Sequence, residues 1–348
     1  MKATRNLFLA LFLVAFSSLS AAPAEARDLK VVSLNTWLLS FLGHHIGRDM
    51  KERALVIPHL VAEENPDLIA LQEVWPNRDK NELIDEFKKW GYDYSFEVPR
   101  NLGLGNGLVI VSRYPIVDTK ISPRYHEITQ LDEVIAKKGA IYAEIELSPT
   151  EHIDFFTTHL GALSYDEKAG TYEKSQRKHQ LEQYQELRDW FMKTRKNKHA
   201  IIAGDFNGDY RLLKDGKFQG EFDPGYLAFI QETCGDGEDL LNTFLTANKM
   251  DASSAPIPTY DFQRNPYAAE GLFSGAPSET EDYIFSCGFE SSDASKGQVI
   301  LSGPIPTNLS ELKGRKTPLR ASDHFGLSAV FTYDDSPAVT EPDQDERI

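Results

Sequence analysis

The chain has 348 residues and a formal net charge of −16, from 53 acidic and 37 basic side chains. Proteins that neutralise many phosphates through their side chains normally present a basic face. The acidity therefore argues against a nucleic acid partner and favours a small or zwitterionic substrate. It does not exclude nucleic acid, because a bound divalent cation can supply local positive charge. The length fits one large α/β domain or two smaller ones.

The first 26 residues have the pattern of a secretory signal peptide. Lys2 and Arg5 precede an apolar run of ten residues at 7–16, and AEA at 24–26 is a small-x-small cleavage site. The apolar run is too short to span a bilayer. We therefore expect cleavage at this site or slightly upstream, and a protein secreted to the extracellular space or the periplasm.

The remaining sequence alternates predicted strands and helices early, and paired strands dominate its middle and end. Apolar runs predict strands at 29–35, 67–73, 107–116, 139–147, 152–160, 199–205, 282–287, 298–303 and 325–333, and the stretch 107–116 contains a turn at Tyr114–Pro115. Helical spacing of apolar residues predicts helices at 49–65, 81–91 and 172–197, and two short helices near 225–247. We expect Pro58 to kink or end the first helix and Gly91 to end the second. The pattern predicts mixed sheets covered by helices in a layered α/β arrangement, followed by an acidic, disordered tail at 335–348.

Cys234 and Cys287 are the two cysteines of the sequence. In an exported protein such a pair can form a disulfide, and two buried free thiols are the alternative. Two widely spaced cysteines make a poor tetrahedral site, so we expect no cysteine-ligated metal.

Five predicted strands begin or end beside polar residues that the core of a strand would normally exclude. These residues are Asn35, Glu73, His159, the pair Asp205 and Asn207, and the pair Asp323 and His324. Each one alone could be a turn former, a cap or a core histidine. Five strand ends with the same feature instead indicate one site, because catalytic groups gather where a rigid scaffold holds them.

The residue types at these strand ends fit metal-assisted hydrolysis of a phosphoester by an activated water. Carboxylate and amide oxygens are the ligands of a hard cation such as Mg²⁺ or Mn²⁺. A histidine oriented by a carboxylate can act as a general base near neutral pH, and a second histidine can stabilise developing negative charge. No glycine-rich loop precedes a lysine in the P-loop pattern, so nucleotide-driven phosphoryl transfer is not indicated.

The sequence resembles the endonuclease/exonuclease/phosphatase superfamily in a set of short motifs. In chain order they are SLNTW, PDLIALQEVW, TTHL, GDFN, EDYIF and ASDHFGLSAVF, and they cover most of 29–333. The resemblance implies a four-layer α/β/β/α sandwich of two mixed β-sheets flanked by helices. The site would lie at one rim of a catalytic domain at 27–334.

The resemblance also implies the metal ligands. Glu73 would be the principal ligand, with Asn35 beside it and Asp323 as a further candidate. The expected ion is Mg²⁺, with Mn²⁺ or Co²⁺ as substitutes, and the resemblance leaves open whether one or two ions bind.

The catalytic roles implied by the resemblance fall on five residues. His324 would be the general base, and Asp282 the aspartate that orients it. His159 would stabilise the transition state or the leaving group. Asp205 and Asn207 would position the attacking water and a phosphate oxygen. Two residues apart on an extended chain, their side chains would project to one face.

Within the superfamily, the sequence is most similar to the neutral sphingomyelinases. The similarity lies in the stretch 34–60, in QEVW at 72–75, in KKGAIYAEI at 137–145 and in the strand, loop and helix that follow Thr158. It implies a secreted phosphodiesterase, monomeric and dependent on a divalent cation. Such an enzyme hydrolyses sphingomyelin or a related phospholipid at a membrane surface to ceramide and phosphocholine. The sequence shows no counterpart of the animal enzymes' C-terminal membrane helices, and it gives no clear position for the apolar hairpin of the bacterial enzymes.

Two apolar segments could replace that hairpin at the lipid interface. Their candidate side chains are Leu38, Leu39, Phe41 and Leu42 in one segment and Leu272 and Phe273 in the other. Burial of such side chains at the acyl boundary would contribute ~1.5–3 kcal/mol each. The alternative is that these residues pack on the protein core.

Two other functions stay open at the level of the sequence. A secreted nuclease of the same fold would use the same catalytic residues but would need a basic groove, against which the acidity argues. A non-catalytic exported protein that binds a membrane or a partner could also have this scaffold, although every candidate catalytic position carries a suitable residue.

Overall fold

The computed structural model describes residues 26–41, 44–98, 105–126, 137–269, 277–290, 294–309, 312–314 and 316–334. The predicted signal peptide, apart from its last residue, and the predicted acidic tail lie outside these ranges, so both stay predictions. None of the described helices combines the length and the apolar character that are needed to cross a membrane.

Strands dominate the described residues, and helices are fewer. The strands are β1 (Ala26–Leu38), β2 (Ser40–Phe41), β3 (His44–His45), β4 (Leu68–Val74), β5 (Tyr94–Glu97), β6 (Val109–Ser112), β7 (Ile116–Ile121), β8 (Ala140–Ser148), β9 (Glu151–His159), β10 (Tyr165–Asp166), β11 (Thr171–Tyr172), β12 (Ala200–Asp205), β13 (Arg211–Lys214), β14 (Lys217–Phe222), β15 (Leu241–Asn242), β16 (Asp282–Cys287), β17 (Ala294–Ile300) and β18 (Gly326–Asp334). The helices are α1 (Met50–Glu63), α2 (Asn77–Lys89), α3 (Lys174–Thr194), α4 (Pro224–Ile230), α5 (Thr243–Ala247) and α6 (Pro266–Ala269).

The structure contains two six-stranded mixed sheets, and both have the same arrangement of parallel and antiparallel neighbours. Sheet 1 has the order β17-β18-β1-β4-β6-β5, and sheet 2 has the order β15-β16-β12-β9-β8-β7. Each sheet has one parallel pair at its centre, β1 with β4 and β9 with β12. The other neighbours in both sheets are antiparallel. The carboxyl ends of β1 and β12 meet at the same rim, where Asn35 contacts Asp205.

Alternation of side chains along the strands builds the layers. Val31 and Ala70 of sheet 1 pack in one buried cluster with Phe155 and Ile201 of sheet 2. The next residue of β1, Val32, points the other way and lies in a cluster with α1 and α2. Helix α3 covers the outer face of sheet 2. The predicted four-layer α/β/β/α sandwich is confirmed.

Three predicted elements differ in detail from the structure. Helix α1 continues through Pro58, which therefore does not end it. Helix α2 begins at Asn77 rather than at residue 81, and the chain leaves it at Gly91, with a φ of +83°, as expected. The predicted turn at Tyr114–Pro115 is confirmed, but it divides the stretch 107–116 between β6 of sheet 1 and β7 of sheet 2, which was not predicted.

Cys234 and Cys287 form a disulfide, so the free-thiol alternative does not hold. Cys287 is the last residue of β16, and Cys234 follows α4 in the chain. The bond ties the α4 segment to sheet 2 across a sequence separation of 53 residues.

Loss of this disulfide is expected to lower the free energy of unfolding by about 2–5 kcal/mol, because the cross-link restricts the unfolded chain. Urea denaturation of the oxidised protein and of the protein kept in dithiothreitol measures the difference. The double variant Cys234→Ser/Cys287→Ser is the control for effects of the reductant. Equal denaturation midpoints for all three samples would contradict a stabilising role of the bond.

Candidate active site

The predicted site residues meet at one rim of the sandwich. In sheet 2, Asp205 at the end of β12 lies between His159 of β9 and Asp282 of β16. In sheet 1, Asn35 and Glu73 lie toward the carboxyl ends of the parallel strands β1 and β4. Because both parallel pairs end at this rim, side chains that are far apart in the sequence converge there.

Asp205 is the centre of the arrangement. Asn35 Nδ2 donates a 2.8 Å hydrogen bond to Asp205 Oδ2 and so links sheet 1 to sheet 2. His159 Nε2 lies 3.4 Å and His324 Nε2 3.9 Å from the same oxygen. The other oxygen, Oδ1, accepts a 2.8 Å bond from the backbone N–H of Asn207. One carboxylate is therefore shared by three segments that are distant in the sequence, besides the turn that follows Asp205 itself.

Asn207 reaches the rim by a different route from the one predicted. Strand β12 ends at Asp205, and Asn207 has a φ of +50°, so the chain is not extended across the pair. Its Nδ2 donates a 2.8 Å hydrogen bond to the Leu160 carbonyl, and its own carbonyl accepts a 2.7 Å bond from Gln180 Nε2. The two side chains share a turn rather than one face of a strand, because Asp205 Oδ1 closes an Asx-turn onto the Asn207 N–H.

His324 and Asp282 form a histidine–carboxylate pair. His324 Nδ1 lies 2.9 Å from Asp282 Oδ2, which places the ring hydrogen on Nδ1 and leaves Nε2 toward Asp205. Burial alone would lower the pKa of His324. The negative charges of Asp282 and Asp205 outweigh burial, and the pKa lies well above its usual value. The pair thus has the geometry of a general base with its orienting carboxylate.

His159 is buried at the same rim but has the opposite electrostatic character. Its side chain is 1 % exposed, and its Nε2 lies 3.9 Å from Glu73 Oε1. Burial first, and then the positive charges of Lys138 and His324, lower the pKa of His159 well below its usual range. At neutral pH the ring is therefore uncharged and can donate one hydrogen bond through one nitrogen.

Glu73 has the properties of a metal ligand. Its φ of +58° is unusual for a residue with a side chain, and such backbone is commonly found at functional sites. Its Oε2 is buried and has no hydrogen-bond partner among the described residues. Burial and the charge of Asp323 raise the pKa of Glu73 to about 7. A buried, unpartnered carboxylate oxygen beside a second carboxylate is the kind of group that a hard cation satisfies.

Asn35 and Asp323 also fit an oxygen-ligated cation. Asn35 Oδ1 accepts one 2.9 Å bond from the backbone N–H of Trp37, which leaves a second lone pair for another partner. Asp323 Oδ1 accepts a 3.0 Å bond from Ser322 Oγ. Among charged groups, Asp323 has the largest effect on the pKa of Glu73, which indicates that the two carboxyls are close.

A second group of side chains could also hold an ion. Ligand atoms of Asp205, Asp282 and His324 lie within 4.8 Å of one another. In the structure, however, His324 is bonded to Asp282, and Asp205 accepts from Asn35. An ion at this position would replace the bond that orients His324. The geometry therefore fits proton transfer by this group and metal binding by the Glu73 group.

Arg53 of α1 holds two backbone segments of the site together, a role that the sequence analysis did not predict. Its side chain is completely buried. Its guanidinium donates to the carbonyls of Thr36 and Trp37, the latter at 2.7 Å, and to the Ala321 carbonyl at 3.2 Å. These bonds join the end of β1, next to Asn35, to the loop that precedes β18. The available signal was an arginine among the apolar positions of an amphipathic helix.

Two further buried polar residues bridge elements at the site. Gln72 Nε2, from sheet 1, donates a 3.0 Å bond to Thr157 Oγ1 of sheet 2. Lys138 Nζ donates a 2.9 Å bond to the Leu160 carbonyl, and its charge lowers the pKa of Glu73. The sequence analysis assigns no role to Lys138, which lies in the stretch 137–145 that is similar to the neutral sphingomyelinases. The structure places its charge near the carboxylates of the site.

The prediction of a lipid contact by Leu38 is wrong. Leu38 is completely buried in the cluster between sheet 1 and the helices, where its strand pairs with Val74 of β4. Leu39 is half-buried. The remaining predicted lipid contacts lie outside the described residues or side chains and stay predictions: Phe41, Leu42, Leu272 and Phe273.

Comparison with known sequences identifies relatives over most of the chain. Residues 32–324 match the Endonuclease/Exonuclease/phosphatase family. A candidate neutral sphingomyelinase of Caenorhabditis elegans is 28% identical over 333 residues, which is 92% of this chain and 70% of that protein. A candidate neutral sphingomyelinase of Drosophila melanogaster is 26% identical over 186 residues, which is 52% of this chain and only 39% of that protein.

Solved structures share the fold at lower identity. Sphingomyelinase C from Streptomyces griseocarneus has a TM-score of 0.62 at 18% identity, over 88% of this chain and 99% of that one. A beta toxin variant from Staphylococcus aureus with bound magnesium ions has a TM-score of 0.59 at 21% identity, over 87% and 99%. TDP2 of D. rerio, complexed with a single-stranded DNA product, has a TM-score of 0.58 at 17% identity, over 87% and 98%.

These structures include proteins that act on different molecules, so their similarity supports the fold and not a substrate. The family match spans most of the chain, and the two-sheet sandwich with its site at one rim agrees with it. The chain belongs to the endonuclease/exonuclease/phosphatase family.

Proposed function

We propose that this protein is a secreted, divalent-metal-dependent phosphodiesterase that hydrolyses sphingomyelin or a related phospholipid to ceramide and phosphocholine. The observation that carries the reaction type is the placement of Asp205 between the His324–Asp282 pair and the Asn35–Glu73 side of the site. The lipid substrate is supported by relatives that are described as candidate neutral sphingomyelinases.

Glu73, Asn35 and Asp323 would hold the divalent cation. The unpartnered Oε2 of Glu73 supports this assignment, and so does the bound magnesium in the structurally similar beta toxin variant. We propose Mg²⁺, for which Mn²⁺ or Co²⁺ could substitute. Bound there, the ion would neutralise phosphate charge and stabilise the oxygen that leaves.

His324 would take the proton of the attacking water at Nε2. Asp282 holds the ring through Nδ1, so Nε2 points into the site, and the carboxylate stabilises the imidazolium that forms. The negative charges of Asp282 and Asp205 raise the pKa of His324, so the base form with a free lone pair on Nε2 requires positive charge in the site, which the bound cation would supply. Asp205 Oδ2, 3.9 Å from His324 Nε2, would accept a hydrogen bond from the same water. Two acceptors fix the direction in which the water attacks, which lowers the entropic part of the barrier.

His159 and Asn207 would contact the phosphate itself. His159 is uncharged because burial lowers its pKa, so it would donate a hydrogen bond to a phosphoryl or leaving oxygen. The Asn207 side chain is held at the rim by its bond to Leu160 and would lie beside a second phosphate oxygen. Both groups donate to oxygens whose negative charge grows in the transition state.

A nuclease of the same fold is the second candidate function, because TDP2 with bound single-stranded DNA shares the fold. The acidity of the chain and of the site argues against a polyanionic substrate. A non-catalytic binding protein is the third candidate. A retained base with its orienting carboxylate at 2.9 Å argues against it.

The first expected outcome is Mg²⁺-dependent release of phosphocholine from sphingomyelin vesicles. His324→Ala is expected to lower kcat at least ~10²-fold, because a positioned general base contributes about that much or more. His152→Ala, a histidine on strand β9 whose ring contacts Glu144, is the matched control and should keep wild-type activity.

Phosphatidylcholine vesicles and plasmid DNA in parallel assays identify the substrate. Release that stops in EDTA and in His324→Ala supports the proposed reaction, and the ratio of the two lipids gives its selectivity. Cleavage of the plasmid DNA without hydrolysis of either lipid would mean that the substrate is nucleic acid and not a lipid.

The second expected outcome concerns stability and pH. Burial and neighbouring acids raise the pKa of Glu73 to about 7 and that of Asp205 to about 6. An acid with a raised folded-state pKa contributes stability that is present at low pH and is lost as pH rises through that pKa. Without a cation the protein should therefore lose stability between about pH 4 and pH 7, and Mg²⁺ should restore it above this window.

Thermal unfolding with MgCl₂ or EDTA at pH 5 and pH 8 measures this effect. We expect Mg²⁺ to raise Tm more at pH 8 than at pH 5, and Glu73→Gln to remove most of that difference. The same Mg²⁺ shift at both pH values, or a full shift in Glu73→Gln, would contradict the assignment of Glu73 as a ligand.

A further inference from the structure

Two buried glutamates, Glu279 and Glu281, lie beside the proposed base and have no role in the reaction above. Glu281 Oε2 is 3.9 Å from His324 Nε2, the nitrogen that faces the attacking water. The Glu281 side chain is 12 % exposed, so part of it is accessible to solvent. Glu279 behind it is 3 % exposed. Glu281 is the first residue of the EDYIF motif, but the family resemblance assigns a role in that motif only to Asp282, and Glu279 lies outside the motifs.

Backbone hydrogen bonds hold both glutamates in place. The Glu281 N–H donates a 3.0 Å bond to Thr259 Oγ1. Glu279 exchanges backbone hydrogen bonds of 2.9 and 3.0 Å with Tyr260, and its Oε2 accepts a 2.9 Å bond from the Tyr172 hydroxyl. The two carboxyls are therefore a fixed part of the rim and not mobile surface charges.

No described lysine or arginine forms an ion pair with these carboxyls. Glu279 Oε1 is buried, and among the described residues its only hydrogen-bond partner is the Glu281 carboxyl, which can donate only when it carries a proton. Arg211 is close enough to affect Glu279, but its guanidinium makes two 2.7 Å bonds to Asp209. Burial, and then the Asp209 charge, raise the pKa of Glu279 to about 8. A buried carboxylate is costly unless it is paired, so this corner is short of a positive group.

Tyrosine rings lie on the same side of the site. The Tyr260 ring packs on the His324 ring with 4.8 Å between centroids, and Tyr172 bonds to Glu279. Carboxylates and aromatic rings together are the groups with which proteins bind organic ammonium ions. A second phosphate, as in a polynucleotide, would instead be repelled by Glu281.

We propose that Glu281, backed by Glu279, binds the ammonium group of a zwitterionic phosphodiester head group while its phosphate lies between His324 and Glu73. This inference rests on the proposed phosphodiesterase function and assigns the residues that select its substrate. An ammonium group joined to the phosphate by a short linker would bring positive charge to the two glutamates, for which the described residues offer only His324, 3.9 Å from Glu281, as an ionic partner.

The test measures binding of two ligands by isothermal titration calorimetry in the presence of Mg²⁺. The ligands are phosphocholine and 3,3-dimethylbutyl phosphate, which replaces the charged nitrogen by a neutral carbon of the same shape. We expect wild type to bind phosphocholine at least ~10-fold more tightly, equivalent to ~1.4 kcal/mol.

The variants separate a charge contact from a structural role. Glu281→Gln should reduce the affinity ratio to about one by weakening phosphocholine alone, and Glu279→Gln should reduce it in part. Glu221→Gln removes the same charge from an exposed position on β14 and should keep the wild-type ratio.

Four results would overturn the inference: equal affinities in wild type, no binding of either ligand, an unchanged ratio in Glu281→Gln, or an equal loss of both ligands in that variant. The last would mean that the pair shares a proton and only supports His324. Phosphocholine release from sphingomyelin vesicles, measured in parallel, separates the two proposals. Phosphocholine release together with equal affinities for the two ligands overturns the ammonium site alone. Tighter binding of phosphocholine than of 3,3-dimethylbutyl phosphate, without any release from sphingomyelin, overturns sphingomyelin as the substrate.

Discussion

Asp205 has to serve groups from both sheets at once, and this one carboxylate constrains the rest of the fold. Its Oδ2 accepts from Asn35 across the sandwich and lies within 3.9 Å of the ring nitrogens of His159 and His324. These contacts exist only if the parallel pairs of the two sheets end at the same rim with little offset. The Gln72–Thr157 bond fixes that alignment between the sheets, and Arg53 fixes it between the loops.

The electrostatics of the rim follow from the same crowding. Burial and neighbouring carboxylates raise the pKa of Asp205, Glu73 and Glu281, although His324 acts in the opposite direction on all three and Lys138 on Asp205 and Glu73. Such a site gains stability from positive charge, which a divalent cation and a cationic head group would supply at two different places. A substrate with one phosphate and one ammonium group suits both needs, and the overall acidity of the chain is consistent with it.

Much of the arrangement could be predicted, because its signal is local. A buried strand that ends on a polar residue is visible in a single sequence, and topology brings such ends together, as with Asn35 and Asp205. Contacts that depend on three-dimensional packing were not predictable in the same way. In the sequence, Glu281 is an acidic residue in a loop. In the structure, the Tyr260 backbone pairs with both Glu279 and His324, and Glu281 Oε2 lies 3.9 Å from His324 Nε2.

The errors of the sequence interpretation have the same physical origin. Leu38 looked like an exposed apolar residue of a loop, but β1 continues through it, and the strand buries it against the helices. The turn at Tyr114–Pro115 could be predicted from the sequence, but not that it sends the two halves of the stretch 107–116 to different sheets. Apolar periodicity does not encode which sheet a strand joins, because a long-range partner decides that.

A double-mutant cycle on Asp205 and His324 tests most directly whether the rim works as one catalytic unit. The measurement is kcat/KM for phosphocholine release by Asp205→Asn, His324→Ala and the double variant. If both side chains act on the same water, the double variant should lose no more than the worse single variant, because either loss already disables the unit. Losses that multiply would mean that the two residues act independently, and the assignment of Asp205 as the shared centre of the site would be wrong.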